Sequence, residues 1–219
     1  MGPMGAGKTT FIAHATGEGW AHVEHSLVSR PVNPVRTITC YSAPEGLAPV
    51  TFVDTPGFED TEMSEVDGLC TIAEWLKNNL KNGDLAGIVF VYRISDNRMS
   101  GSLLKNIQVF VKICGMKVMK NVVVATTMWK NISAPTAWRR QAELERDWFR
   151  GIMNAGCELK VFEDSYDSAW AIVNDILNLD PCPPLLIQEE ILRGEKVDET
   201  SAGKIRKWSL GSKITFRWS

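Results

Sequence analysis

Apolar residues along the chain fall into two alternating patterns. Short runs rich in β-branched and aromatic residues end or begin near fixed points: Pro49 to Val53, Leu85 to Tyr92, Asn121 to Thr127 and Leu159 to Phe162. The second and third are nearly continuous, as expected of strands buried on both faces of a parallel sheet. Arg36 to Tyr41 alternates instead, as a half-buried strand does. Between these runs the period lengthens to that of helices. Leu69 to Leu80 places Trp75 and Leu76 on one apolar face, Ser102 to Cys114 is closed by Gly115, and Ala137 to Met153 is charged and amphipathic. Ser168 to Leu179 is the last helix of the series, stopped by Pro181, Pro183 and Pro184. Strand and helix in alternation predict an α/β fold with a doubly wound, mostly parallel sheet over 1–180, followed by a C-terminal extension over 181–219.

The first helix of this series has a distinctive entrance. Gly2-Pro3-Met4-Gly5-Ala6-Gly7-Lys8-Thr9 spells G-x-x-x-x-G-K-[ST], and Phe11-Ile12-Ala13 continues it as a helix. Glycines let the backbone curl so that successive N–H groups point at phosphate oxygens. Lys8 can reach the outer phosphates, the Thr9 hydroxyl can coordinate Mg²⁺, and the positive end of the helix faces the anion. Met4, Gly5, Ala6, Gly7, Lys8, Thr9 and Thr10 are therefore the expected phosphate contacts, with Lys8 also acting on the reacting phosphate.

A second motif follows about 45 residues later, where the run 49–53 ends in Asp54-Thr55-Pro56-Gly57. In P-loop NTPases a strand-ending carboxylate holds Mg²⁺, here Asp54, and the glycine lets a backbone N–H approach the terminal phosphate, here Gly57. Between the two motifs, Thr37 stands at a loop-to-strand junction and is the better candidate to complete the Mg²⁺ shell, with Thr39 as the alternate. Both are also ordinary strand residues.

These motifs resemble those of a P-loop GTPase of the septin-related, AIG-type branch, which includes immunity-associated and chloroplast-translocon proteins and, nearest in look, fungal G-domain proteins. The likeness rests on the phosphate loop, Val53 to Phe58, Tyr92 to Met99 with Gly101, Thr126 to Trp129 and Ser168 to Trp170. It implies GTP binding, slow hydrolysis to GDP, and self-association as a homodimer through the nucleotide face. Thr127, Met128 and Trp129, with Ser165, hold the positions that surround the base in the family.

Two departures from the family pattern matter. Guanine is normally read by [NT]-K-x-D, but the residues here are Thr127-Met128-Trp129-Lys130. A lysine cannot accept from the guanine N1–H, so ATP and ADP, or mixed base use, stay open. Trp129 could stack on the base or pack against protein, and Asp164, Ser165 and Tyr166 fall where a loop closes over the base. The residue after D-x-x-G, often a water-orienting glutamine, is Phe58, so turnover should be slow. Backbone groups, Glu59, Asp60, Thr61 or a partner remain to place the water. Arg93 and Arg98 are candidate arginine fingers or structural ion-pair partners. His14, His22 and His25 show no metal-ligand spacing, although His22 and His25 lie near the first switch. A nucleotide-binding scaffold with little hydrolysis is the competing class.

Composition adds exclusions. The 219 residues are 44% hydrophobic and carry a net charge of −2, so nucleic acid is not the expected partner. Five scattered cysteines without C-x-x-C spacing suit a reduced compartment, and no signal peptide or long apolar run is present, which together predict a cytoplasmic protein. The basic residues of the tail read as a solvated segment rather than a membrane contact. One expected element has no counterpart: the strand that should feed the phosphate loop, since only Met1 precedes Gly2. Ser212 to Trp218 alternates like a strand and is the candidate to pair with the sheet, in that slot or at an edge, within or between chains.

Overall fold

A computed structural model describes residues 1–17, 35–41, 44, 48–58, 65–80 and 84–207. His22, His25, Glu59, Asp60, Thr61 and the stretch 212–218 lie outside the described residues. Three strands form a parallel sheet in the order β3 (Ile88–Arg93), β4 (Val122–Thr127), β5 (Glu158–Val161). Ile88 lies opposite Val122, and Val123 opposite Glu158. A separate antiparallel pair joins β1 (Arg36–Cys40) to β2 (Val50–Asp54), with Arg36 across from Asp54. This is the α/β arrangement the alternation of periods predicts.

Both faces of the parallel sheet are covered, which is why β4 is buried at every position. Its side chains alternate. Val123 and Ala125 join a cluster with Phe11 and Ala15 of α1 (Lys8–Thr16) and Trp170 and Val173 of α6 (Tyr166–Leu177). Val122 and Val124 join the larger cluster, with Leu69 and Ile72 of α2 (Glu65–Asn79) and Ile107 and Phe110 of α3 (Gly101–Cys114). Local signals set the limits of α3: Ser100 Oγ accepts from Leu103 N at 3.1 Å, and Gly115, at φ 79°, donates to Val111 O at 2.8 Å.

The helix expected over 137–153 is broken. It runs as α4 (Ala134–Glu143), one π-turn over Leu144–Trp148, and the short α5 (Arg150–Met153). The Phe149 N–H donates to Leu144 O at 2.8 Å, five residues back, and the wider turn rotates Phe149 into the core against Phe90 and Tyr92. Packing of one aromatic ring overrides the helical period. The strand expected from Leu85 begins at Ile88, because upstream backbone groups are used elsewhere: Leu85 O accepts from Cys182 N at 2.9 Å, and Ala86 O from Asn121 Nδ2 at 3.0 Å.

Beyond residue 181, α7 (Leu186–Leu192) and α8 (Ser201–Lys207) lie against α3 and α2, and Leu185, Ile187 and Ala202 are fully buried in the larger cluster. The buried Glu190 carboxylate accepts from the Ser201 N–H at 3.1 Å at the start of α8. Among the described residues no helix is long and apolar enough to cross a membrane.

Candidate nucleotide site

The loop 2–9 runs between the end of β3 and the start of α1, and its glycines are there for geometric reasons. Gly5 and Gly7 adopt φ of 69° and 91°, conformations that L side chains resist. The turn is tied by Ala6 N to Pro3 O at 3.3 Å, and α1 begins with Phe11 N donating to Gly7 O at 2.9 Å. Lys8 Nζ folds back over the loop, donating to Pro3 O at 2.9 Å and Gly2 O at 3.2 Å. Two loop carbonyls thus hold the ammonium against the loop. Met4 is partly exposed at the loop crest, and Ala6 is buried beneath it.

Three contacts join this loop to distant parts of the chain. Thr9 Oγ1 donates to Asp54 Oδ2 at 2.9 Å, which links the first turn of α1 to the end of β2. Thr127 Oγ1, at the end of β4, donates to Ala6 O at 2.8 Å. Gly57 lies so close to the loop that a Cβ there would stand 2.8 Å from Met4 Cα. Lys8, Thr9, Asp54 and Gly57 therefore meet around one loop, although 45 positions separate Thr9 from Asp54. The hydroxyl and carboxylate oxygens fit a hard cation such as Mg²⁺, which takes few protein ligands and keeps waters and phosphate oxygens for the rest of its shell. Beside them, Thr55 Oγ1 is buried without a hydrogen-bond partner among the described residues.

The expected third metal ligand, Thr37, sits inside β1 across from Val53 and is exposed. Thr39, the alternate, bonds Thr51 across the strands at 3.0 Å, an interaction of the sheet itself. Phe58 is 4% exposed and belongs to the larger core cluster near Phe90. It anchors the segment after Gly57 by apolar burial.

A cavity of about 390 Å³ opens beside Gly7 and Thr10, bounded by Thr127, Met128, Lys130 and Asp164. His14, Asn131 and Phe162 complete its walls. Of the residues expected around a base, Thr127 and Met128 line it, and Met128 turns into it through a left-handed backbone at φ 62°. Trp129 does not line it. Its indole N–H donates to Thr126 O at 3.0 Å, and its ring meets Trp138 edge-on at 4.8 Å. Nor does Ser165, whose hydroxyl accepts from Ser168 N at 3.2 Å to cap α6. The neighbouring Asp164, at φ 53°, faces the cavity instead. A non-glycine residue held at positive φ beside a cavity is the kind of strain found at binding sites. Sequence reasoning missed Phe162, and the one available signal was its place at the end of an apolar run.

Arg93 leaves the end of β3 with Nε 3.1 Å from Asp96 Oδ1 and its Nη1 against the loop, 3.3 Å from where a Cβ on Gly5 would be. Arg140 secures the following loop by donating to Ile94 O at 3.0 Å and Asn97 Oδ1 at 2.8 Å. Arg98 is exposed.

No protein-family profile matches the chain, and no curated protein matches it in sequence. Solved structures do. Toc33 from Arabidopsis thaliana, as a dimerisation-deficient arginine-to-alanine mutant, superimposes with a TM-score of 0.64 at 14% identity, covering 84% of this chain and 85% of that one. The fold is that of a G domain. The same plant protein in complex with Mg²⁺ and GMPPNP gives 0.60 at 15% identity, and in complex with GDP and Mg²⁺ 0.59 at 14%, with the same coverage of each chain. At such identity the likeness is one of fold: a P-loop NTPase core with α/β layering. In this chain the loop 2–9 opens α1 and meets the end of β2 through the Thr9–Asp54 contact.

Proposed function

We propose that the chain binds a Mg²⁺–nucleoside triphosphate and hydrolyses its terminal phosphoanhydride slowly, with GTP to GDP as the favoured reaction, in the manner of a switch or assembly module. The observation that carries this reading is the 2.9 Å bond between Thr9 Oγ1 and Asp54 Oδ2 beside the glycine loop. The Toc33 structures with Mg²⁺ and GMPPNP or GDP support the choice of ligand. Thr9 and Asp54 would hold Mg²⁺, with Thr37 reaching it from β1. When bound, the ion neutralises charge on the outer phosphate oxygens.

The rest of the chemistry belongs to side chains and backbone. Lys8 exchanges its two loop carbonyls for phosphate oxygens, and the N–H groups of Gly5, Ala6, Gly7, Lys8, Thr9 and Thr10 surround the charge at the helix N-terminus. The Gly57 N–H senses the terminal phosphate. Phe58 offers no polar atom, so water is placed without a side-chain amide, and intrinsic turnover is slow. Arg93, pinned by Asp96, brings a cation to the loop from within the same chain. The base enters the cavity beside Thr10, with Thr127 and Met128 as walls, while Trp129 and Ser165, expected there from the sequence, support the neighbouring segments from outside it.

A second reading, ATP or mixed-base use, is favoured by the cavity itself: Lys130 stands where guanine readers carry an acceptor, and Asp164 is the carboxylate among its lining residues. A third, a nucleotide-binding scaffold, draws on the burial of Phe58. In cells we place the chain in the cytoplasm, in the AIG-type branch, as a homodimer through the nucleotide face. Mg²⁺-dependent phosphate release from GTP and ATP in parallel, with Lys8→Ala as control, tests the proposal. Selective GTP turnover lost in the control supports it. Turnover of both nucleotides moves the base preference, and tight binding without release leaves the scaffold.

A further inference from the structure

Arg93 is the last residue of β3 and lies across from Thr127, the last residue of β4. Both stand at the carboxyl edge of the parallel sheet, the edge along which open α/β sheets bind ligands. Thr127 spends its hydroxyl on Ala6 O, in the glycine loop. Arg93 reaches the same loop one strand over, with Nη1 3.3 Å from where a Cβ on Gly5 would be. An alanine there would crowd the guanidinium, so glycine at this position gives both the φ of 69° and the room for a cation. The end of β4 offers no cation beside it: the residue after Thr127 is Met128.

The guanidinium is held from one side. A tight turn, closed by Asp96 N donating to Arg93 O at 3.3 Å, brings the two side chains together. Both Asp96 oxygens face Nε, Oδ1 at 3.1 Å and Oδ2 at 3.2 Å. The turn is itself fixed from α4, where Arg140 donates to Ile94 O and Asn97 Oδ1. Among the described residues Asp96 alone pairs with Arg93, and it takes Nε, so the edge formed by Nη1 and Nη2 stays open. That edge is beside the loop, and the Arg93 side chain is 32% exposed. An arginine fork of this kind meets two oxygens of one phosphate group at once.

We propose that Arg93 is a phosphate-binding residue for the nucleotide of its own chain: its open Nη edge donates to oxygens of the diphosphate, and Asp96 is the residue that positions it. The inference rests on the nucleotide reading above and deepens it by separating binding from hydrolysis. Gly5 lies mid-loop, among the N–H groups which that reading gives to the phosphates, so a cation beside it serves diphosphate and triphosphate alike. Asp96 makes the claim testable by sign. A carboxylate near an anion site repels the anion, so its removal alone would tighten binding. Its hold on Arg93 reverses that expectation.

The test measures affinity for the Mg²⁺ complexes of GDP, GTP, ADP and ATP by calorimetry, with turnover and the nucleotide-free Tm alongside. For whichever base the wild type prefers, Arg93→Ala should weaken diphosphate and triphosphate alike by about tenfold or more, with kcat at saturation within about twofold. Asp96→Ala should weaken both by about threefold or more, against the sign of the charge it removes. A double variant of the two should match Arg93→Ala. The pair is partly exposed, so the nucleotide-free Tm should move by no more than about 2 °C. Should Arg93→Ala fail to fold, Arg93→Lys carries the comparison, because it keeps the charge without the fork and should still bind less tightly. Unchanged affinity in Arg93→Ala, beside a wild type that binds, would overturn the proposal and leave the nucleotide reading standing. So would tighter binding by Asp96→Ala, or a loss confined to kcat. A loss seen only at concentrations where the chain dimerises would overturn it too, since the cation would then serve a partner's nucleotide. A wild type that binds none of the four nucleotides would overturn the reading itself, and this proposal with it.

Discussion

The Thr127 hydroxyl donates to the Ala6 carbonyl at 2.8 Å, and so fastens the end of the central strand β4 to the middle of the phosphate loop. The same hydroxyl lies 3.3 Å from Tyr92 O at the end of β3. One buried side chain therefore sets the height of the loop above two strands. Thr127→Val keeps the shape and leaves the Ala6 carbonyl without this donor. Urea unfolding should show a loss of about 2 kcal/mol, and nucleotide titration a weaker affinity. Unchanged values in both would mean that the loop is held by its own turn.

Thr9 and Asp54 act as a unit. Thr9→Ala and Asp54→Asn should each raise the Mg²⁺ concentration needed for half-maximal nucleotide binding by about tenfold or more. The double variant should cost little beyond either single one, because on the proposed reading both remove one cation site. Additive losses would place the metal elsewhere.

Phe58 fills a core position, not a catalytic one. Phe58→Gln puts an amide where water-orienting glutamines stand in small switch GTPases, yet it buries that amide among Phe90 and its neighbours. Stability should fall by about 3 kcal/mol without a gain in turnover. A faster enzyme of unchanged stability would contradict this placement.

On the proposed reading, base preference turns on the cavity lined by Lys130 and Asp164. Lys130→Asp supplies an acceptor for the guanine N1–H and amine, and should shift competition between GTP and ATP toward GTP by about tenfold or more. Asp164→Asn should weaken binding of whichever base the native chain prefers. Indifference of both variants to the base would move base recognition out of this cavity.

Buried thiols set the alkaline limit of stability. Burial raises the Cys182 thiol to about 11 and Cys157 to about 12, from an ordinary value of 9. Burial raises Cys114 as well. The folded state keeps these protons where the unfolded chain releases them. Their contribution is intact below pH 9 and is lost as pH climbs toward about 11 and about 12. Denaturation midpoints measured from pH 8 to 11 should therefore fall progressively above 9. A thiol reagent at pH 8 should modify the half-exposed Cys70 before these three.

Spacing along the chain was enough to single out the glycine loop 2–9, Asp54 and Gly57, which the fold brings together: Gly5 and Gly7 stand where φ is positive, Asp54 where a strand ends, and Gly57 where the backbone of Met4 comes close. The continuous apolar character of 122–127 likewise announced a strand covered on both faces. Side-chain direction past the end of an element was another matter. Trp129 turns toward Thr126 and Trp138, Ser165 spends its hydroxyl on capping α6, and Phe149 enters the core through a π-turn in what reads as one helix. Those outcomes depend on which distant surface a side chain meets, and periodicity holds no record of it. The cavity that joins His14, Phe162 and Asp164 arises only when α1 and the end of β5 close on the loop after β4. Sequence determined which residues form the glycine loop and end β2 in a carboxylate. Tertiary packing alone decided what lines the cavity beside that loop, because the choice is made between segments more than a hundred residues apart.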